Sequence, residues 1–201
     1  MTRAIYVEIE IAADIDRVWE LTQTPDLHTR WDLRFSRIAP SGELDGGGYR
    51  FDYERRMPGH TLRGTGTSLG ERVRPDGTRT SALRFTTRDR LSPLGDGRGY
   101  WRYVPTESGT RFITGFDYTP GWGRFADALV VRRLIGWMTA WSFDRLRIWA
   151  ETGAEPERSP LSSVVAFWRA DRPRAARTRR APRRGRAMDD APATLDRLAA
   201  P

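Results

Sequence analysis

The stretch GYWRYVPTESGTRFITGFDYTPGWGRFADALVVRRLIGWMTAWSFDRLRIW, residues 99–149, decides the fold. GYWRYV and TRFITGFDY are short alternating runs, the period of half-buried strands. Glu107-Ser108-Gly109 between them is a turn signal, so the two runs read as neighbouring antiparallel strands. From residue 123 the period changes. Val130, Leu134, Trp137, Trp141 and Ile148 follow helical spacing, beside a second stripe of Val131, Ile135, Met138, Leu146 and Trp149. Arg133, Gly136, Ala140, Asp144, Arg147 and Glu151 form a narrow polar stripe opposite, in which Asp144–Arg147 and Arg147–Glu151 are helix-spaced ion pairs. The spacing predicts one long helix over 123–152, stopped by Gly153. So broad an apolar face must cover something large, and the only available partner is a sheet.

Working outward, IYVEIEI at 5–11 alternates: Ile5, Val7, Ile9 and Ile11 share one face while Glu8 and Glu10 take the other, toward solvent. Asp14 reads as the N-cap of a helix carrying Val18, Trp19 and Leu21. Pro25 ends it, and Asp26 caps a second short helix, DLHTRW. Between residues 33 and 119 the texture is strand and turn. Sixteen of the nineteen glycines lie between Gly42 and Gly123 and punctuate about six alternating runs, with turn signals at Gly46-Gly47-Gly48 and Pro75-Asp76-Gly77. The predicted fold is therefore α+β. A curved antiparallel sheet of about seven strands wraps around the long C-terminal helix, with two short helices after the first strand. A single helix leaves space against such a sheet, so a cavity is expected between them.

The formal charge of +8 is carried by 34 basic residues, all arginine, against 26 acids. It is concentrated in residues 169–187, which hold nine arginines and one aspartate. The remainder is electrically balanced, which weakens a nucleic-acid role for the folded body, and no aromatics interleave the tail arginines to stack bases. Residues 1–153 are expected as the domain. Residues 154–201 are expected as a linker and a disordered Arg-rich tail, able to touch anionic lipid at a membrane surface. With no cysteine there is neither a disulfide framework nor a thiolate site. No apolar run approaches the length of a membrane span and no signal peptide is evident, so the expected location is cytoplasmic.

The candidate ligand-binding residues are aromatics on inward strand faces and on the helix: Trp31, Phe51, Tyr53, Trp101, Tyr103, Phe116, Tyr118, Trp137 and Trp141. Together they offer an apolar lining with phenol and indole donors, suited to a flat or lipid-like ligand; plain core packing is the competing reading of the same residues. His28 and His60 show no metal-ligand spacing, and neither metal nor cofactor is expected. His28 lies one helical turn before Asp32, as a base and its orienter would, or as an exposed helix-end pair. GTGTSLG at 64–70 sits inside the strand meander and is not a dinucleotide fingerprint. No Ser/His/Asp set suggests a nucleophile.

Two blocks carry a resemblance: VEIEIAADIDRVWELTQTPDLHTRWD at 7–32, where a strand enters a helix through an Ala-Ala-Asp turn and reaches Trp31-Asp32, and the 99–149 block quoted above. The chain resembles the SRPBCC superfamily over residues 4–152: START-like lipid-transfer domains, birch-pollen-allergen-type proteins and polyketide cyclases/dehydrases. The resemblance implies the helix-grip fold and a hydrophobic cavity. It implies no single activity. A carrier of a small hydrophobic, lipid-like or aromatic molecule, a cyclase/dehydrase acting on a polyketide-like substrate, and a peripheral protein docking through its basic tail all remain open. In resembling cyclases an inward arginine holds substrate oxygens; Arg34 and Arg102 are the candidates here. Some chains of this texture continue into a membrane domain, of which SSVVAFW at 162–168 is the only trace.

Overall fold

A computed structural model describes residues 4–45 and 47–201; Gly46, part of the first turn signal above, lies outside them. Seven strands form one antiparallel sheet: β1 (Ile5–Ile11), β2 (Arg37–Glu43), β3 (Tyr49–Met57), β4 (His60–Val73), β5 (Arg79–Thr86), β6 (Leu94–Thr106) and β7 (Gly109–Pro120). Their order is β1-β7-β6-β5-β4-β3-β2, so strands 2–7 are a meander and β1 joins at the far side. Between β1 and β2 lie α1 (Ile15–Gln23), N-capped by the Asp14 carboxylate accepting Arg17 N–H at 2.7 Å, and α2 (Pro25–Trp31). The sheet is followed by α3 (Gly123–Ala126), a π-helical turn at Asp127–Val131, and the long α4 (Arg132–Thr152). Gly153 at φ 72° ends α4, its N–H donating to Trp149 O at 2.9 Å. The long C-terminal helix is thus interrupted by one π turn, a feature periodicity does not reveal.

Alternation puts Ile5, Val7, Ile9, Ile11, Tyr103 and Phe112 on the concave side, where they form the core with Phe143, Leu146 and Trp149 of α4. The Phe112 ring stacks on Phe143 at 4.5 Å and on Tyr103 at 4.9 Å. This packing fills one end of the space between sheet and helix.

The segment after Gly153 departs from the expected disordered tail: it is laid across the body. Arg179 pairs with Glu8 through two backbone hydrogen bonds of 2.8 Å, covering the otherwise open β1 edge. The Arg183 guanidinium reaches Glu8 at 2.7 Å and Glu10 at 3.2 Å, and Tyr6 O–H donates to Glu8 at 2.6 Å. Glu8 is therefore buried, not solvent-facing as its alternation predicts. On the helix, Asp144 is also fully buried. It accepts Arg147 at 2.7 Å within α4, and Arg174 N–H at 2.7 Å and Arg177 at 3.0 Å from the following segment. Residues 187–198 cover the convex face of the sheet: Leu195 and Leu198 pack on Ala82, and Tyr100 O–H donates to Ala187 O at 3.0 Å. α5 (Thr194–Arg197) belongs to this cover. The segment has too little apolar surface to fold alone, but it joins Arg177 and Arg183 to the body's Asp144, Glu8 and Glu10 and its leucines to the sheet.

Candidate functional site

The open end of the space between sheet and α4 is a cavity of about 520 Å³. Phe51, Tyr53, Leu83 and Phe85 form its sheet wall, Ile135, Trp137 and Met138 its helix wall, and Leu91, Trp122, Leu134 and Leu161 stand at its mouth. The glycine-rich β4 explains how large rings fit a curved wall. Phe51 lies opposite Gly66, and Tyr53 opposite Gly64. A Cβ on Gly66 would fall 2.2 Å from the tip of the Phe51 ring, and one on Gly64 2.3 Å from Tyr53. Both rings therefore lie flat over bare backbone, which keeps the cavity open. Gly64 and Gly66 of GTGTSLG thus have a packing role in the sheet.

The lining is mostly apolar with one polar corner, where His28, Arg34 and Arg55 border the cavity. Asp32, fully buried behind them, organises the corner. It accepts His28 Nε2–H at 3.0 Å, Arg34 Nη2 at 2.6 Å, Arg34 Nε at 2.9 Å and Arg34 backbone N–H at 2.9 Å. Burial alone would push its carboxyl up; the Arg34 charge and the hydrogen bonds from His28 and Arg34 overcome that and hold it well below the usual carboxylate range. Burial dominates at His28 and depresses it below the ordinary imidazole value, although Asp32 pulls the other way. Its ring is stacked on Trp31 at 5.0 Å and edge-on to Trp101 at 4.9 Å. Burial also lowers Arg55, with Asp32 opposing; among the described residues no carboxylate pairs with Arg55.

A neutral buried His28 carries a linkage consequence. The unfolded chain takes up a proton near pH 6.5 while the native ring resists it, so stability present above pH 6.5 is lost as pH falls below it. Urea unfolding at pH 7, 6 and 5 is expected to show a decline of up to about 1.4 kcal/mol per pH unit, absent in His28→Gln. Equal pH dependence in both proteins contradicts this assignment.

Of the nine aromatics named from sequence, Phe51, Tyr53, Trp101, Phe116 and Trp137 line the cavity. Four do not. Trp31 is fully buried, its Nε1–H donating to Leu21 O at 2.8 Å. Tyr103 is fully buried, its hydroxyl tied to Thr22 at 2.7 Å and Gln23 at 2.8 Å. Tyr118 O–H donates to Asp127 at 2.5 Å, pinning the π turn, and Trp141 is packed within the core. Arg34 borders the cavity, but Arg102 lies on the convex face and binds Asp190 at 2.8 Å. The sequence reading missed Phe85, Leu83, Arg55 and Met138. Phe85 and Leu83 share the inward face of an alternating run, a signal that could have found them.

The family described as polyketide cyclase / dehydrase and lipid transport matches residues 2–151. A curated relative, the uncharacterized membrane protein YndG of Bacillus subtilis (strain 168), is 40% identical over 168 residues, which are 81% of this chain and 63% of that protein. The chain thus spans less than two thirds of that relative's length. Among solved structures, the di-domain ARO/CYC StfQ from the steffimycin biosynthetic pathway superposes with a TM-score of 0.57 at 14% identity, covering 75% of this chain and 52% of that one. The STAR-related lipid transfer protein from Xanthomonas axonopodis gives 0.53 at 16% identity over 72% and 83%. At these identities the likeness is one of fold.

Proposed function

Because the chain belongs to the polyketide cyclase / dehydrase and lipid transport family, of SRPBCC type, we propose that it binds a small hydrophobic, lipid-like or aromatic molecule between the sheet and α4. The observation that carries this reading is the cavity of about 520 Å³ with its apolar walls, a size typical of small-molecule sites. Phe51, Tyr53, Trp101, Phe116 and Trp137 would touch the apolar body of the ligand. Arg55, lacking a carboxylate partner among the described residues, would meet an oxygen at its polar end.

The test is native mass spectrometry with decanoic acid and 1-naphthol, backed by titration calorimetry. The wild-type protein is expected to take up at least one of them. Gly66→Ala pushes the Phe51 ring into the cavity and is expected to weaken uptake about tenfold, equivalent to 1.4 kcal/mol, with little change in melting temperature. A wild-type protein that binds neither probe overturns the reading.

A second reading, an enzyme acting on a polyketide-like substrate, draws on the His28 ring that borders the cavity and is oriented by Asp32. It loses ground because Asp32 is already saturated by Arg34. A peripheral role through the Arg-rich segment is weaker again, since the Arg177 and Arg183 guanidiniums are engaged by acids of the body.

A further inference from the structure

Around the cavity mouth the surface is apolar and exposed, against the usual rule for a soluble face. Phe125 is 79% exposed, Trp122 55%, Leu91 58%, Leu134 50% and Leu129 48%. Trp122, Leu91 and Leu134 also line the cavity, so this patch is continuous with its interior. Two segments build it, the β5–β6 loop and the run from Trp122 through α3 and the π turn into the start of α4. They are held together where Gly121 N–H donates to Pro93 O at 2.9 Å. A Cβ at Gly121 would collide with Ser92 O at 2.3 Å, so this closeness requires glycine. The π turn packs Asp127 and Val131 inward and leaves Leu129 and Val130 outward.

The same segments are cationic. Arg88, Arg90, Arg124 and Arg133 are exposed and have no carboxylate partner among the described residues. The acids interspersed with them are occupied: Asp89 accepts from His60 at 2.7 Å, and buried Asp127 holds Tyr118 and Arg132. We propose that the cavity mouth is a docking surface for an anionic lipid bilayer, with Trp122, Phe125 and Leu129 entering the acyl boundary and the four arginines meeting headgroups. A second copy is a poorer occupant, because a two-fold contact would set these arginines against themselves. A bilayer accounts for both properties and for their position: a hydrophobic ligand would pass between membrane and cavity without crossing water. That last point rests on the ligand-binding reading; the docking does not.

The experiment is flotation of the full chain with large unilamellar vesicles of phosphatidylcholine alone or mixed with phosphatidylglycerol. The wild-type protein is expected to bind the mixed vesicles and to be released by salt. Phe125→Ser with Leu129→Ser changes no cavity-lining residue. It is expected to lower partitioning at least about tenfold while leaving decanoic acid uptake unchanged. Arg124→Glu with Arg133→Glu should abolish the preference for phosphatidylglycerol. The proposal is overturned if the wild-type chain ignores mixed vesicles, or if both variants bind them as it does. It is also overturned if sedimentation velocity shows a dimer that the Ser variant dissociates. Loss of decanoic acid uptake in all proteins, with flotation intact, would sink the ligand reading and leave the docking standing.

Discussion

Removing residues 154–201 is expected to lower the melting temperature by about 6–12 °C, although the family match ends at residue 151. Three losses add up. Leu195 and Leu198, both nearly fully buried against Ala82, leave the convex face bare; each buried leucine contributes roughly 1.5–3 kcal/mol. The β1 edge loses its pairing with Arg179, exposing unpaired N–H and C=O groups. Asp144 and Glu8 lose cations that approach within 3.0 Å and 2.7 Å. Rehydration of these acids offsets part of the last loss, so the estimate rests on about 3 kcal/mol of apolar burial, spread over a chain of this length. Calorimetry of the full and truncated chains measures it. Leu195→Ser with Leu198→Ser keeps the chain whole and is expected to show a large part of the same decrease. Equal melting temperatures in all three proteins would mean that the segment is not seated on the sheet.

That seat was invisible in the sequence for a physical reason. Periodicity reports an element that buries one face of its own, and the 174–199 segment has no such face. It is held by scattered leucines, by backbone pairing with an edge strand and by guanidinium groups whose acids lie far off in sequence, 33 residues away for Arg177–Asp144 and 175 for Arg183–Glu8. The same blindness affected Asp144, placed on a polar stripe because its neighbours in the helix allowed it, and Glu8, placed toward solvent by alternation. By contrast, the meander, the two short helices and the Gly153 stop were legible, because alternation, the Asp14 cap and the left-handed glycine are all local signals. For the site, alternation gave the face of each aromatic but not its depth. Tyr103 and Phe116 are both inward; only the packing of α1 decides that Tyr103 is sealed behind Thr22 and Gln23 while Phe116 faces the cavity. The His28–Asp32 spacing was read correctly as a contact, whereas its burial beneath Trp31 and Trp101 depends on how β6 crosses α2.

Asp32→Ala is expected to cost about 3–5 kcal/mol, a fall of roughly 6–20 °C in melting temperature. The carboxylate is fully shielded and receives His28 Nε2–H, three contacts from the Arg34 side chain and the Arg34 backbone N–H. Deleting it strands a partly buried guanidinium and a buried imidazole N–H, and an unpaired buried charge is costlier than the pair is stabilising. Asp32→Asn keeps the shape and can still accept two of these bonds, so its loss should be the smaller. The pH response separates this role from that of His28. Arg34 and the hydrogen bonds hold the Asp32 carboxyl below its unfolded value, so the stability it contributes is present above about pH 3.9 and is lost only as pH falls through the lower folded value. Between pH 7 and 5 the Asp32→Asn variant should therefore be shifted from wild type by a constant term on the carboxylate's account, while the His28 contribution changes across that window. If Asp32→Ala unfolds like wild type yet loses decanoic acid uptake, the carboxylate serves the ligand and not the fold. If both properties survive, Arg34 has found water or another acceptor, and the polar corner is looser than these distances imply.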